Sequence, residues 1–348
     1  MTRRGVLIGC GFFARNHMLA WRDLPDVTIV AVCDLDPAKA AAFSEEFGAQ
    51  AYGDAAQMLK EVRPDFADIA TTVSSHRSLV ELAAGHGCAV ICQKPFAENL
   101  IDANAMVDAC KDAGVELLIH ENFRWQAPIR RIGELIDSGA IGQPQFLRLN
   151  FRHAFDIYAN QPYLAQVEDL ALSDVGLHLF DVARRLFGEV TRISCETQRL
   201  NPNVTGQDAF LAQMRHVNGA VASVECSFFS HYAPDRFVQT LALVEGDEGS
   251  IELGDGYRLW LHRQGECLEE VVEPPVPSWG ARPWNLVQES VIAFQQHVLD
   301  VLAGRAKPQP SGADNLETLR LTFAAVQSAR NGGRQVKLAA SGEEPPSA

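Results

Sequence analysis

Short apolar runs alternate with helix-like stretches through the first 122 residues, and this alternation is the strongest constraint on the fold. The runs are largely apolar through their length, and they occupy residues 6–8, 28–33, 66–71, 89–92 and 115–119. Strands of that kind belong to a sheet that is covered on both faces. Amphipathic stretches such as residues 37–47 separate them. The pattern predicts an α/β domain over residues 1–122, built on a doubly wound parallel sheet.

A different pattern begins at residue 123, where most strand-like runs follow one another without helices. We predict a helix at 128–138, a strand at 145–152 and a helix at 170–187. Six further runs follow, at 190–199, 207–216, 220–229, 236–245, 249–253 and 257–262, and residues 254–256 (Gly-Asp-Gly) are typical of a hairpin turn. Consecutive strands without crossovers predict an α+β domain over residues 123–340 with a large, open antiparallel sheet.

Two helices are predicted near the end of the chain. The first carries an apolar stripe from Val287 to Val298 and stops at Gly304. The second spans about 314–331, where Asp314 and Glu317 have the spacing of a capping box, and we expect it to pack back on the first domain. Residues 341–348 are expected to be disordered.

Composition excludes several classes of function. The 348 residues carry 30 basic and 44 acidic side chains, and a net charge of −14 disfavours nucleic acids and anionic membranes as partners. No apolar run is long enough to span a bilayer, and the glycine turn comes too early for a cleavable leader, so we expect a cytoplasmic protein. Eight scattered cysteines without a CxxC pair are expected to be reduced packing thiols, and no metal site is expected.

A glycine-rich turn follows the first predicted strand and opens a helix. Gly9, Gly11 and Ala14 fit the pattern G-x-G-x-x-A, in which the glycines let a pyrophosphate approach the helix N-terminus. Such strings also occur as ordinary turns, but the position at the first strand–helix junction favours dinucleotide binding. Asp34 ends the next strand, 23 residues after Gly11, where a carboxylate accepts hydrogen bonds from the ribose hydroxyls of NAD and repels a 2′-phosphate. The alternative is that Asp34 simply ends a strand in a turn.

Two further places carry residues suited to chemistry. Lys94 follows an apolar strand at the edge where doubly wound sheets bind ligands, although on local sequence alone a surface lysine is the better interpretation. Asp174, His178 and Asp181 share one face of a predicted helix, and an imidazole there could accept the proton of an alcohol. Gly176 in mid-helix indicates a close approach by another group. A capped surface helix with a satisfied histidine fits this helix equally well.

Taken together, these motifs resemble a known family. The glycine turn, the segment 70–76 (ATTVSSH), the segment 91–95 (ICQKP) and Asp174-x-Gly176-x-His178 occur in the order and spacing of the glucose–fructose oxidoreductase/inositol dehydrogenase (Gfo/Idh/MocA) family of NAD(P)-dependent oxidoreductases. The resemblance covers about residues 4–337. It implies that Lys94, Asp174 and His178 surround the reacting carbon, with His178 as the acid/base. The expected cofactor is NAD, bound by Gly9, Gly11, Phe12, Phe13, Asp34, Thr71, Thr72, His76, Gln93, Lys94 and Asn122.

Gln93 departs from the family pattern, which commonly has Glu-Lys-Pro at this place. An amide can still donate and accept a hydrogen bond, but it supplies no charge to Lys94. The expected consequence is weaker cofactor binding or turnover than in relatives.

The family implies hydride transfer at a secondary alcohol or a sugar hemiacetal. We expect substrate contacts from polar and aromatic residues of the second domain, namely Arg124, Trp125, Arg152, His153, Asp156 and Tyr158. Residues 121–126 (ENFRWQ) are similar to bacterial aldose dehydrogenases of the family, including those acting on apiose. We therefore expect NAD-dependent oxidation of an aldose to a lactone. The alternatives are an inositol or other cyclitol dehydrogenase, a glycosidase-like enzyme that retains its NAD, and a non-catalytic NAD-sensing regulator.

The resemblance also implies association. In this family the open sheet usually packs against the sheet of a partner, so we expect a homodimer or homotetramer with residues 190–262 in the interface.

Overall fold

The computed structural model describes residues 2–159 and 161–338. The predicted disordered tail at 341–348 lies outside these residues. The chain divides into two compact units, one formed by Met1–Asn122 with Gln288–Leu319 and the other by Phe123–Val287 with Arg320–Ala348. The division falls after residue 122, and residues 288–319, which the sequence pattern assigns to the second domain, belong to the first unit.

The first unit is built on a six-stranded parallel sheet, as predicted. Its strands are β1 Arg3–Ile8, β2 Val27–Cys33, β3 Gln50–Tyr52, β4 Phe66–Ile69, β5 Ala89–Gln93 and β6 Leu117–His120. The intervening helices are α1 Ala14–Asp23, α2 Pro37–Phe47, α3 Ala55–Val62, α4 His76–Gly85 and α5 Leu100–Ala113. The strand order β3-β2-β1-β4-β5-β6 confirms a doubly wound sheet. The edge strand β3 escaped prediction because it has only three residues, two of them exposed.

Burial explains why these runs become inner strands. Every residue of β4, β5 and β6 is buried, as expected for strands covered on both faces. The strand order reverses between β1 and β4, whose carboxyl ends are neighbours. In open α/β sheets ligands bind at this switch point.

The last two helices are α8 Asn285–Leu302 and α9 Gly312–Arg330. The N-terminal cap of α9 corrects one prediction: the Ser311 hydroxyl accepts a hydrogen bond from the Asp314 backbone N–H at 3.1 Å. Because the helix begins at Gly312, Asp314 lies inside its first turn and is not the capping residue.

The second unit contains α6 Ala127–Asp137, α7 Leu177–Phe187 and a nine-stranded sheet. The strands are β7 Pro144–Arg152, β8 Val190–Gln198, β9 Ala209–His216, β10 Val221–Ser227, β11 Leu241–Gly246, β12 Gly249–Gly254, β13 Arg258–Arg263, β14 Glu266–Val271 and β15 Val336–Lys337. Their order is β14-β13-β12-β11-β7-β10-β9-β8-β15. The expected large sheet is confirmed and is mostly antiparallel, but β7 and β10 pair in parallel, which makes it mixed.

One face of this sheet packs on α7. Leu147, Leu149 and Phe151 of β7 are buried and alternate with residues that are more exposed. On α7, Leu179, Val182 and Leu186 belong to the same core. Within residues 2–159 and 161–338, none of the helices combines the length and apolarity that crossing a membrane requires.

Candidate functional site

The glycine turn of the first unit lies at the switch point. Gly9 has a φ of +96°, and a Cβ added there would come within 2.7 Å of the Ala70 carbonyl oxygen at the end of β4. A Cβ added to Gly11 would meet no heavy atom within 4 Å. Helix α1 then begins at Ala14, and its N-cap residue Phe13 makes no side-chain capping bond. The turn therefore presents open space beside uncapped helix N–H groups, which fits the pyrophosphate of a dinucleotide.

Asp34 ties the glycine turn to the end of β2. Its Oδ2 accepts the Cys10 N–H at 2.7 Å and its Oδ1 accepts the Asp36 N–H at 2.8 Å. Each carboxylate oxygen keeps a lone pair for a further donor. Burial, and next the charge of Asp34, raise the pKa of the Cys10 thiol to about 12, so Cys10 is neutral. The position and fixed orientation of Asp34 fit ribose recognition.

The loop after β4 carries Thr71, Thr72 and His76. The Ser75 hydroxyl lies 2.8 Å from both the Thr71 hydroxyl and the Thr72 carbonyl oxygen. The buried His76 ring has Nδ1 3.1 Å from the Phe96 carbonyl oxygen and Nε2 3.2 Å from the Thr71 carbonyl oxygen. Burial lowers the pKa of His76, so the ring is neutral and donates to one carbonyl at a time. His76 thus braces the loops after β4 and β5, and direct contact with the cofactor stays a prediction.

The other predicted cofactor residues of this unit differ in exposure. Phe12 is 55% exposed in the glycine turn, whereas Phe13 packs its ring against His17 and His120. The buried Asn122 donates from Nδ2 to the Ser290 hydroxyl at 2.8 Å. Phe12 is therefore the aromatic side chain of this turn that a ligand could reach most easily.

A buried hydrogen-bonded chain leads to Lys94. The Asp68 carboxylate lies 2.9 Å from His17 Nδ1, and His17 Nε2 lies 3.0 Å from Gln93 Nε2. Gln93 Oε1 accepts the Lys94 N–H at 2.7 Å. Asp68, His17 and Gln93 are buried, and Lys94 is partly exposed. His17 and Asp68 were not among the predicted residues, although a carboxylate inside the largely apolar run 66–71 was a visible signal.

In the second unit, Asp174 and His178 lie around the start of α7. Residues Leu172–Gly176 form a π-helical turn, so Asp174 precedes the regular helix that was predicted to include it. The His178 ring is buried and stacks on Phe123, with centroids 4.1 Å apart and planes 3° apart. The close approach that Gly176 indicates comes from the Ala171 carbonyl and the Phe210 ring, each 3.2 Å from an added Cβ.

His153 and Tyr158 lie within the electrostatic reach of Asp174. Burial lowers the pKa of His153 to about 4, partly opposed by the charges of Asp235 and Asp174. Burial, and then Asp208, Asp156 and Asp174, raise the pKa of Tyr158 to about 12. Both side chains are therefore neutral near pH 7. The charge of Asp174 thus acts on both side chains, and their contact with substrate stays a prediction.

The remaining predicted substrate residues have protein partners or lie partly buried. Asp156 accepts the N–H groups of Tyr158 and Ala159 in a turn, and Arg152 lies 3.2 Å from Glu225. The buried Arg124 forms a bidentate ion pair with Asp181, with Nε 2.6 Å from Oδ2. Trp125 is partly exposed. Contacts of these four side chains with substrate stay predictions, and Arg124 in particular is engaged by Asp181.

Comparison with known proteins decides the family. The family model for the GFO/IDH/MocA oxidoreductases with an NAD-binding Rossmann fold matches residues 3–121, and the model for the C-terminal domain of that family matches residues 129–252. The chain belongs to the GFO/IDH/MocA family. Residues 3–121 are thus an NAD-binding Rossmann domain. In the described part of the chain, no group of three or more His, Cys, Asp or Glu side chains is arranged to hold a metal ion.

Individual relatives within this family are closely similar. A D-apiose dehydrogenase of Paraburkholderia graminis is 48% identical over 96% of this chain and 89% of its own length. A D-apiose dehydrogenase of Rhizobium rhizogenes is 44% identical over 94% of this chain and 96% of its own. The crystal structure of an oxidoreductase from Agrobacterium radiobacter in complex with NAD+, L-tartaric acid and magnesium is 44% identical. It superposes with a TM-score of 0.95 and covers 97% of this chain and 98% of its own.

The two glycines of the turn should respond differently to alanine. Gly9→Ala should lower the free energy of unfolding by roughly 1–3 kcal/mol, because of its positive φ and the contact with Ala70. Gly11→Ala should leave stability within about 0.5 kcal/mol but weaken NAD binding at least about tenfold, since the Cβ occupies space for the pyrophosphate. Urea denaturation and calorimetric titration with NAD measure the two effects. Gly53→Ala, also in open space, is the control, and an unchanged Kd for Gly11→Ala would contradict the assignment.

The low pKa of His153 predicts an acid-dependent loss of stability. An exposed imidazole has a pKa of 6.5, against about 4 in the folded protein, so between these values the unfolded chain binds a proton that the folded chain does not. Stability is fully present above pH 6.5 and falls towards pH 4, by roughly 3 kcal/mol from this residue. His153→Phe should remove this part of the loss in urea denaturation at pH 7 and pH 4.5. His262→Phe, at an exposed histidine, serves as control. If the free energy of unfolding falls equally in both variants between pH 7 and pH 4.5, the assignment to His153 is wrong.

Proposed function

We propose that this protein oxidises D-apiose at the anomeric hydroxyl, with NAD as the hydride acceptor, and forms the lactone. The observation that carries the proposal is identity of 48% and 44% to two D-apiose dehydrogenases over nearly the whole chain. Lys94, Asp174 and His178 are all present. A non-catalytic NAD sensor would have no need to keep all three.

The first unit supplies the NAD site in this proposal. When bound, NAD takes up a hydride at its nicotinamide ring. Gly9 permits the tight turn beside Ala70, Gly11 leaves room for the pyrophosphate, and Asp34 accepts hydrogen bonds from the adenosine ribose. Leu35 and Asp36, which follow Asp34, offer no positive charge to a 2′-phosphate, and this supports a preference for NAD over NADP.

The proton chemistry falls to Lys94 and His178. An imidazole in its neutral form can accept the hydroxyl proton as hydride leaves the carbon. The Lys94 ammonium stabilises the same oxygen while negative charge develops on it. Asp174 orients the sugar hydroxyls. Phe123, stacked flat on His178, restricts the tilt of that ring and so supports a fixed direction for proton transfer.

The second unit supplies substrate recognition in this proposal. His153 and Tyr158, both neutral near pH 7, lie close to the charge of Asp174. Neutral donors and acceptors within reach of several carboxylates suit the hydroxyls of a small sugar. The other predicted substrate residues either contact the sugar or hold in place the side chains that do. They are Arg124, Trp125, Arg152 and Asp156.

We also propose a cytoplasmic homodimer or homotetramer. The support is the family resemblance together with apolar side chains exposed on the outer face and edge of the large sheet, of which Leu211 and Leu268 are examples.

An absorbance assay at the NADH band tests the proposed activity. D-apiose should give NADH at a kcat/KM at least about tenfold above that for other pentoses, hexoses and myo-inositol, and NADP should be the poorer cofactor. Preference for myo-inositol would indicate a cyclitol dehydrogenase. Product without accumulation of free NADH would indicate a glycosidase-like cycle. Binding of NAD without turnover on any substrate would indicate a sensor.

Removal of the proposed base should slow the chemical step. His178→Ala should lower kcat by roughly 10²–10⁴-fold, because that is the usual contribution of a general base. Binding of NAD, measured by calorimetry, should stay within about twofold of the unaltered protein, since the nucleotide site belongs to the other unit. His216→Ala, another buried histidine of the second unit, is the control for the loss of an imidazole. A kcat close to that of the unaltered protein would refute the role of His178.

A further inference from the structure

The direction of each hydrogen bond in the buried chain that leads to Lys94 follows from its last member. The Lys94 backbone N–H can only donate, so the Gln93 atom that faces it at 2.7 Å is the amide oxygen. The Gln93 NH₂ group therefore faces His17 Nε2 at 3.0 Å, and that nitrogen must offer a lone pair. The ring proton then lies on Nδ1, which donates to the Asp68 carboxylate at 2.9 Å.

The surroundings hold the His17 ring in this orientation. It stacks on His120 with centroids 4.1 Å apart, and Phe13 contacts it edge-on. Asp68 accepts a second hydrogen bond from Trp21 Nε1 at 2.8 Å, so a fixed carboxylate faces the ring. These side chains are buried or partly buried, and little water is available to replace any bond of the chain.

We propose that Asp68, His17 and Gln93 are positioning residues that fix the orientation of Lys94. The Gln93 side chain folds back onto the N–H of the next residue and so fixes the peptide plane from which the Lys94 side chain departs. The inference rests on the proposed function in one respect, namely that Lys94 acts on the reacting oxygen. It explains why an amide stands at position 93: the group must accept from Lys94 and donate to His17.

A carboxylate at position 93 would satisfy only one end of this chain. In a Gln93→Glu variant, one carboxylate oxygen could still accept the Lys94 N–H, but the other oxygen would face the lone pair of His17 Nε2. The contact at that end would then need an extra proton, and two carboxylates on opposite sides of the ring favour placing it on the imidazole. The ionisable groups around it are Asp68 on β4 and His120 on β6, and the charge of Lys94 also acts on His120.

Kinetics of near-isosteric variants test the positioning role. Gln93→Met removes both hydrogen bonds of the amide and should lower kcat for D-apiose by roughly 10–100-fold, because a misplaced catalytic group slows chemistry. The KM for NAD should change by much less than kcat, since Gln93 is buried and both hydrogen bonds of its amide go to protein groups. Asn104→Leu is the matched control, because it removes an amide that bonds only the Leu100 carbonyl of its own helix. An unchanged kcat in a folded Gln93→Met protein would overturn the proposal.

Nitrogen NMR of the histidine rings tests the chain without requiring turnover. In the full-length protein with NAD at neutral pH, His17 should show a protonated Nδ1 and an unprotonated Nε2, and in Gln93→Glu both nitrogens should be protonated. A proton on Nε2 in the unaltered protein would overturn the proposal even if Gln93→Met fails to fold. If the unaltered protein shows the expected His17 ring but does not oxidise D-apiose, the proposed substrate fails and the hydrogen-bonded chain stands.

Discussion

A close backbone approach between the ends of β1 and β4 governs the arrangement of the first unit. The turn at Gly9 passes so near the Ala70 carbonyl that no side chain fits between them. Because the two strands are neighbours at the point where the strand order reverses, their following loops must share this narrow space. The Cys10 N–H is thereby directed at Asp34, and His76 ties the loop after β4 to the loop after β5. The glycine turn, Asp34 and the loop after β4 are thereby held next to one another.

In the second unit, burial sets the protonation states of the polar side chains near Asp174. Burial keeps His153 deprotonated and Tyr158 protonated near neutral pH, so the groups around Asp174 can exchange hydrogen bonds with hydroxyls without a change of charge. Arg124 and Asp181 of the same unit neutralise each other in a buried ion pair. The neighbourhood of His153 and Tyr158 thus combines the acidic charges of Asp174, Asp156, Asp208 and Asp235 with neutral polar groups, which suits the hydroxyls of a polyol.

Features encoded by neighbouring residues could be predicted from the sequence, and features that depend on distant partners could not. The glycine turn, Asp34 and the alternation in β7 are local signals, and each is found where it was expected. The parallel pairing of β7 with β10 is set by a connection of nearly seventy residues, and β14 is exposed along most of its length, so its sequence has no apolar alternation. The pairing of His17 with Asp68 spans 51 residues, and its only local hint is one acidic residue in an apolar strand.

The buried chain from Asp68 to Lys94 also has a consequence for how the fold is lost. Its members come from α1, β4 and β5, with sequence separations of 51 residues between His17 and Asp68 and 76 between His17 and Gln93. Such contacts can form only after the strands of the sheet have come together, because closing long loops early is entropically costly. Interactions made late in folding are absent from the transition state, and their strength sets the rate of unfolding rather than the rate of folding. The hydrogen-bonded chain would then lower the rate at which the first unit unfolds and leave its rate of folding nearly unchanged.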